Sequence, residues 1–158
     1  MKKTVLSGFV LASLLLIAVI SGCKKEEATN APSNVGTATL SGKVQAQLDL
    51  SNTTIENVPT GTKIIAVINS ADLVTNPVAG VTYENISYET NVNSSGDYTF
   101  TNIAAANKDV TVTLYPVDFV YDQVQGDTIT HTRKIFSANP PTVVVIKGTT
   151  KYSDIFYN

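Results

Sequence analysis

Two hydrophobic patterns divide the chain. From Val5 to Ile20 the side chains are apolar almost without break, with only Ser7, Gly8 and Ser13 as exceptions. From Thr37 onward the apolar positions recur at every second residue, or in short β-branched runs, between clusters of turn-forming residues. A period of two puts successive side chains on opposite faces of a strand, so this second pattern predicts sheet.

The strands can be read in order. Leu40, Gly42, Val44, Ala46 and Leu48 alternate with Ser41, Lys43, Gln45, Gln47 and Asp49, which predicts a half-buried strand. Asn52, Asn57, Pro59 and Gly61 mark a connection. Lys63 to Asn69 is a continuous β-branched run, the pattern of a central strand covered on both faces. Ile86, Tyr88, Thr90 and Val92 alternate again. Asn93 to Gly96 then reads as a tight turn into Tyr98 and Phe100, predicting a hairpin with both rings in the core.

Val110 to Tyr115 alternates and stops at Pro116, which has no amide hydrogen for a ladder. Phe119–Gln125 and Thr128–Phe136 flank Gly126-Asp127, a hairpin pattern. Thr142 to Ile146 reads as another buried strand, and Tyr152 to Tyr157 as a last edge strand. No stretch after Thr37 has helical periodicity. The expectation is an all-β, antiparallel sandwich of about seven to eight strands.

The first pattern predicts something else. Lys2 and Lys3 precede the apolar run, and Ile20-Ser21-Gly22-Cys23 ends it with small residues and the chain's only cysteine. A positive start, a short apolar stretch and a small-residue cleavage site describe a secretory signal helix that is removed. A membrane-spanning helix wants about 20 apolar residues, more than this run supplies. The Ile-Ser-Gly-Cys sequence resembles the lipobox of bacterial lipoproteins. That resemblance implies cleavage between Gly22 and Cys23 and lipidation of Cys23. The expected division is residues 1–22 signal peptide, 23–36 tether and 37–158 sandwich domain.

The tether is charged at Lys24-Lys25-Glu26-Glu27, then small, polar and broken by Pro32. Such a segment cannot bury enough apolar surface to fold. About a dozen extended residues would reach roughly 40 Å from the membrane. Lys25, Glu26 and Glu27 also resemble the surface-export signal of some Gram-negative lipoproteins, in which a lysine precedes paired acidic residues. A solvated charged linker accounts for them equally well.

Composition narrows the function classes. Two of the 11 basic residues, Lys2 and Lys3, lie in the signal, leaving nine against 13 acidic ones. Mild acidity argues against nucleic acid, which selects a basic face. With Cys23 carrying lipid, no thiol is left for a disulfide, a metal site or a nucleophile. His131 is the only histidine, so two-histidine zinc motifs are excluded, and no phosphate-cradling or nucleophile-elbow glycine motif occurs. Asp118, Asp122 and Asp127 could offer oxygen ligands to calcium, but their spacing fits no established loop. The expectation is no metal, no cofactor other than the covalent lipid, and no enzymatic activity. Among the seven tyrosines, Tyr83, Tyr121 and Tyr157 are the candidates for an exposed patch that binds a glycan or protein.

Asn93, Gly96, Tyr98, Phe100 and Ile103 form an Asn-x-x-Gly-x-Tyr-x-Phe stretch with an apolar residue after it. This resembles the signature of carboxypeptidase-regulatory-like and collagen-adhesin B-type domains. Leu40 to Val44 followed by Thr60 to Ile64 resembles their first two strands. The likeness spans roughly Ala38 to Leu114 and implies a transthyretin-like (prealbumin-like) sandwich, with an immunoglobulin-like one as the alternative. It also implies a non-catalytic stalk, adhesion module or accessory domain. The expected protein is a lipid-anchored cell-envelope lipoprotein of the outer membrane or cell surface, presenting a binding or structural module. The alternatives are an assembly or fimbria-like subunit using an edge strand, and a small envelope hydrolase.

Overall fold

The computed structural model describes residues 35–126 and 130–158. Strand is their dominant regular structure, with one short 3-10 turn at Ser70–Leu73, and their main body is a sandwich of two sheets. In the first sheet β1 (Gly36–Ala46) is central. Antiparallel β5 (Asp97–Ala105) and the two-residue β2 (Glu56–Asn57) occupy one of its edges. The other edge carries β10 (Thr150–Tyr152) and then β11 (Ile155–Tyr157), both parallel to β1. The second sheet is antiparallel throughout. Its order is β4 (Asn85–Asn91), β3 (Lys63–Asn69), β6 (Val110–Pro116) and β9 (Thr142–Val145). A separate ribbon pairs β7 (Phe119–Gln125) with β8 (Thr130–Phe136).

The core follows the period-two pattern. Leu40, Val44 and Ala46 of β1, Tyr98, Phe100 and Ile103 of β5, and Ile155 and Tyr157 of β11 are all buried. They belong to one cluster with Ile64, Ala66 and Ile68 of β3, Val110, Val112 and Leu114 of β6, and Val145 of β9. Burying side chains of this size stabilises the fold by roughly 1.5–3 kcal/mol each before the entropy of ordering is counted.

Several expectations need correction. Tyr98 and Phe100 are in the core, but β4 and β5 do not pair. β4 pairs with β3 and β5 with β1, so Asn93–Gly96 carries the chain from one sheet to the other. The turn itself is as expected: Gly96 has φ of 79°, and Asn93 Oδ1 accepts the Ser95 and Asp97 amides at 2.8 and 3.0 Å. A turn pattern reports reversal of direction, and a corner between sheets needs the same reversal as a hairpin.

The continuous run of β3 does sit inside its sheet, between β4 and β6. Only one of its faces is covered, because the sandwich has two layers. Ile65 and Val67 are half-buried on the outer face, beside Glu89 and Tyr115 and beside Ser87 and Thr113. Thr142 to Ile146 is likewise not fully buried. β9 is an edge strand with Val145 inside and Val144 outside. The C-terminal stretch departs from antiparallel pairing because it reaches β1 from the end at which β1 begins. Gly148 N donates to Thr37 O at 2.8 Å, and Thr39 N donates to Thr149 O at 2.9 Å.

The ribbon formed as expected, from Phe119 opposite Phe136 to Gln125 opposite Thr130. Two-stranded ribbons are marginal alone. This one is fastened at Val124, whose amide donates to Leu48 O at 3.0 Å and whose carbonyl accepts Leu50 N at 2.9 Å. Buried Gln123 adds a side-chain bond to Gln47 O at 2.7 Å.

Two buried tyrosines give the fold an alkaline limit. Tyr98 donates to Ser153 O at 2.7 Å and Tyr157 to Val117 O at 2.9 Å. Burial pushes both phenols well above the ordinary tyrosine value, with Asp154 and Asp118 adding to the effect. Because the folded pKa is raised, this stabilisation is intact below about pH 10 and is lost as the unfolded chain ionises first. Melting temperatures should be level up to that pH and fall above it. A level profile through pH 11.5 (roughly, on the same scale) would contradict the burial of these phenols.

Candidate functional site

The residues expected to carry the anchor and its processing, Gly22 and Cys23, lie outside the described residues, as do Lys25, Glu26 and Glu27. The three candidate tyrosines do not form a patch. Tyr157 is fully buried against Phe119, with ring centroids 5.0 Å apart, because its side of β11 faces the core. Tyr83 is half-buried in the β3–β4 connection, where its hydroxyl accepts the Val78 amide at 2.9 Å. Tyr121 is 39% exposed on the ribbon. His131 is exposed there too, 3.3 Å from the Asp122 carbonyl. Asp127 lies outside the described residues, and among those described no three His, Cys, Asp or Glu side chains gather. No described helix is long and apolar enough to cross a membrane.

The outer face of the first sheet brings polar and aromatic groups together. Pairing puts Tyr152, Ser41 and Thr99 in one row across β10, β1 and β5. Lys43 and Asp97 form the next row. Beyond them Phe156 lies opposite Gln45. Leu40, Val44 and Ala46 point inward, so Ser41, Lys43 and Gln45 between them, with their row partners, point outward.

A local break in the ladder opens this face. Between β10 and β11 the chain bends at Ser153–Asp154, close against Gly42. Ser153 N still donates to Ser41 O at 2.9 Å, but the Lys43 amide is satisfied by the Asp154 carboxylate at 2.8 Å. The result is a cleft of about 420 Å3 among Ser41, Lys43, Asp97, Thr99, Tyr152 and Asp154. Lys43 Nζ is held by Asp97 Oδ1 at 2.9 Å and Ser95 O at 3.1 Å. Both partners are about half exposed, so the ion pair orients groups more than it stabilises the fold, at roughly 0–1 kcal/mol. Past the end of β1, a smaller hollow of about 210 Å3 lies among Gln47, Leu50, Lys134 and Phe156.

A larger hollow of about 670 Å3 lies on the ribbon, between Val120, Tyr121, Asp122, His131 and Arg133. All five belong to the same two strands, and among the described residues no other element lines it. The groove along β1 is bounded by strands from both ends of the domain and is the better-built site.

Sequence reasoning missed Tyr152 and Phe156. Ile155, Phe156 and Tyr157 are all apolar, so alternation alone does not say which face is inner. Asp154 was the available signal: it shares its parity with Tyr152 and Phe156, and a carboxylate marks the outer face.

The chain matches no protein-family model, and no curated protein is detectably similar to it in sequence. The likeness to carboxypeptidase-regulatory-like domains therefore rests on the residues that carry it.

Proposed function

We propose that this chain is a bacterial cell-envelope lipoprotein, anchored through lipid on Cys23, whose sandwich serves as a non-catalytic binding module. The observation that carries the reading is Ile20-Ser21-Gly22-Cys23: the chain's only cysteine directly follows two small residues at the end of a lysine-led apolar run. More than one acyl chain at that cysteine gives stable attachment, where one would be marginal. Residues 23–36 act as the tether, and Lys25, Glu26 and Glu27 direct the protein toward the outer surface. The groove on the first sheet supports a binding role, since its charged groups are engaged with one another. The transthyretin-like assignment is supported by Asn93, Gly96, Tyr98, Phe100 and Ile103, of which Tyr98, Phe100 and Ile103 are core residues.

An assembly role has one favouring observation. β8 is a seven-residue strand, exposed at every position but Phe136, and among the described residues only β7 pairs along it. Its Arg133 and Lys134 work against this, because edge charges discourage strand addition.

Cys23→Ala tests the anchor. The variant should leave the membrane fraction or accumulate as unprocessed precursor. A processed variant that stayed fully membrane-bound would refute the reading. Protease shaving of intact cells, with a periplasmic protein as leakage control, should digest the domain if it stands on the outer surface. Protection until lysis would place it in the periplasm and remove the role given to Lys25, Glu26 and Glu27.

A further inference from the structure

We propose that the groove along the outer face of the first sheet, from Tyr152 to Phe156, binds an extended neutral saccharide chain. The proposal rests on the binding-module reading and gives that module a ligand class. Tyr152 is 77% exposed and Phe156 46% exposed. Single exposed aromatics are ordinary. The partners of these two on β1, Ser41 and Gln45, are four residues apart, which is about 13 Å along a strand.

The space between the rings is polar. Ser41 and Thr99 bring hydroxyls, Lys43 a donor and Asp97 acceptors. A sugar unit has the matching two-sided character: its C–H face packs on an aromatic ring, and its hydroxyl edge both donates and accepts. The cleft of about 420 Å3 has the size of a small-ligand site. Phe156, opposite Gln45 on β1, lines a second hollow with Gln47, so a ligand that reaches both rings is a chain.

Charge selects a neutral ligand. Lys43 is paired with Asp97, and Asp154 is engaged with the Lys43 amide. Lys134 at the far hollow balances the remaining acid. The groups are also held before a ligand arrives, since the Ser95 carbonyl and Asp97 fix the Lys43 head and Asn93 fixes the turn that carries them. Groups already in place need little ordering on binding. A protein partner would favour the opposite layout, with an apolar centre inside a polar rim.

The test is affinity electrophoresis of the full chain in non-ionic detergent. Native gels are cast with neutral glucan, mannan, xylan or galactan, and with polygalacturonate as the acidic control. At least one neutral polysaccharide should retard the protein. Tyr152→Ala and Phe156→Ala should each weaken retardation about tenfold, equivalent to about 1.4 kcal/mol. Both side chains are exposed, so both variants should melt as the parent does. Tyr115→Ala, 46% exposed on the other sheet, should bind as the parent does.

Retardation that survives both groove substitutions would overturn the proposal. So would retardation by polygalacturonate alone, or by none of the gels. Crosslinking from Tyr152 to an envelope protein, with no retardation, would replace the saccharide with a protein partner. Lipid on Cys23 is measured in the same preparation. An unlipidated chain that binds saccharide, or a lipidated chain that does not, thus separates this proposal from the anchor.

Discussion

Gly42→Ala is expected to lower the melting temperature by about 10 °C, from a loss of about 3 kcal/mol. A Cβ at this position would overlap the Ser153 carbonyl oxygen, and would lie 2.6 Å from its carbon and 3.0 Å from the Tyr98 ring. The nearest obstacle is backbone, which cannot swing aside as a flexible side chain could. The Ser153–Asp154 bend must therefore move away from β1. That movement strains the Tyr98 bond to Ser153 O and the Asp154 bond to the Lys43 amide. Each such bond contributes about 0.5–1.5 kcal/mol, more where a charge takes part. Ser41→Ala, one residue away on the same strand, is the control. If Gly42→Ala melts within about 2 °C of the parent, the close approach of the C-terminal segment to β1 is wrong.

Tyr157→Ala is expected to cost more, about 3–5 kcal/mol, the usual range for deleting a buried aromatic ring. The ring packs edge-on against Phe119, which stacks on Phe136 at 5.1 Å. These three rings join the C-terminal strand to the base of the ribbon, and the Tyr157 hydroxyl holds the Val117 carbonyl. Losing them should loosen the ribbon before the sandwich, since a lone two-stranded ribbon is marginal. Hydrogen exchange should show the β7 and β8 amides opening first. Tyr157→Phe keeps the packing and leaves only the Val117 carbonyl without its partner, for about 1–2 kcal/mol. Parent-like stability of Tyr157→Ala would contradict the burial of this residue.

Tyr157 also shows where the sequence stopped being informative. Within Ile155, Phe156 and Tyr157 alternation does not mark the inner face, and only the parity of Asp154 puts Tyr157 inside. Where polar and apolar residues alternate strictly, the reading was correct. β1 buries Leu40, Val44 and Ala46, as its pattern predicts, with Leu48 buried just past its end, and β6 buries Val110, Val112 and Leu114. The ribbon's paired segments were legible because Gly126 is flanked by two strand patterns.

Partner choice was not legible. Val92 to Phe100 contains a strand end, a turn and a strand start, and that local pattern is the same whether the two strands pair or part. Which sheet receives β5 depends on contacts with β1, more than 50 positions away in sequence for Lys43 opposite Asp97. The candidate groove was hidden for the same reason. Its residues come from β1, β5 and the C-terminus, and only the register brings Ser41, Thr99 and Tyr152 into one row. The doubly apolar run of β3 misled in another way, since its outer residues are shielded by neighbours within the sheet and by no third layer.

The central claim is that Cys23 carries lipid and begins the mature protein. Mass spectrometry of the N-terminal peptide from detergent-extracted protein tests it most directly. The account predicts a peptide that starts at Cys23 and carries acyl chains on that residue. A mature chain that still begins at Met1, or one that begins elsewhere with an unmodified Cys23, would contradict it.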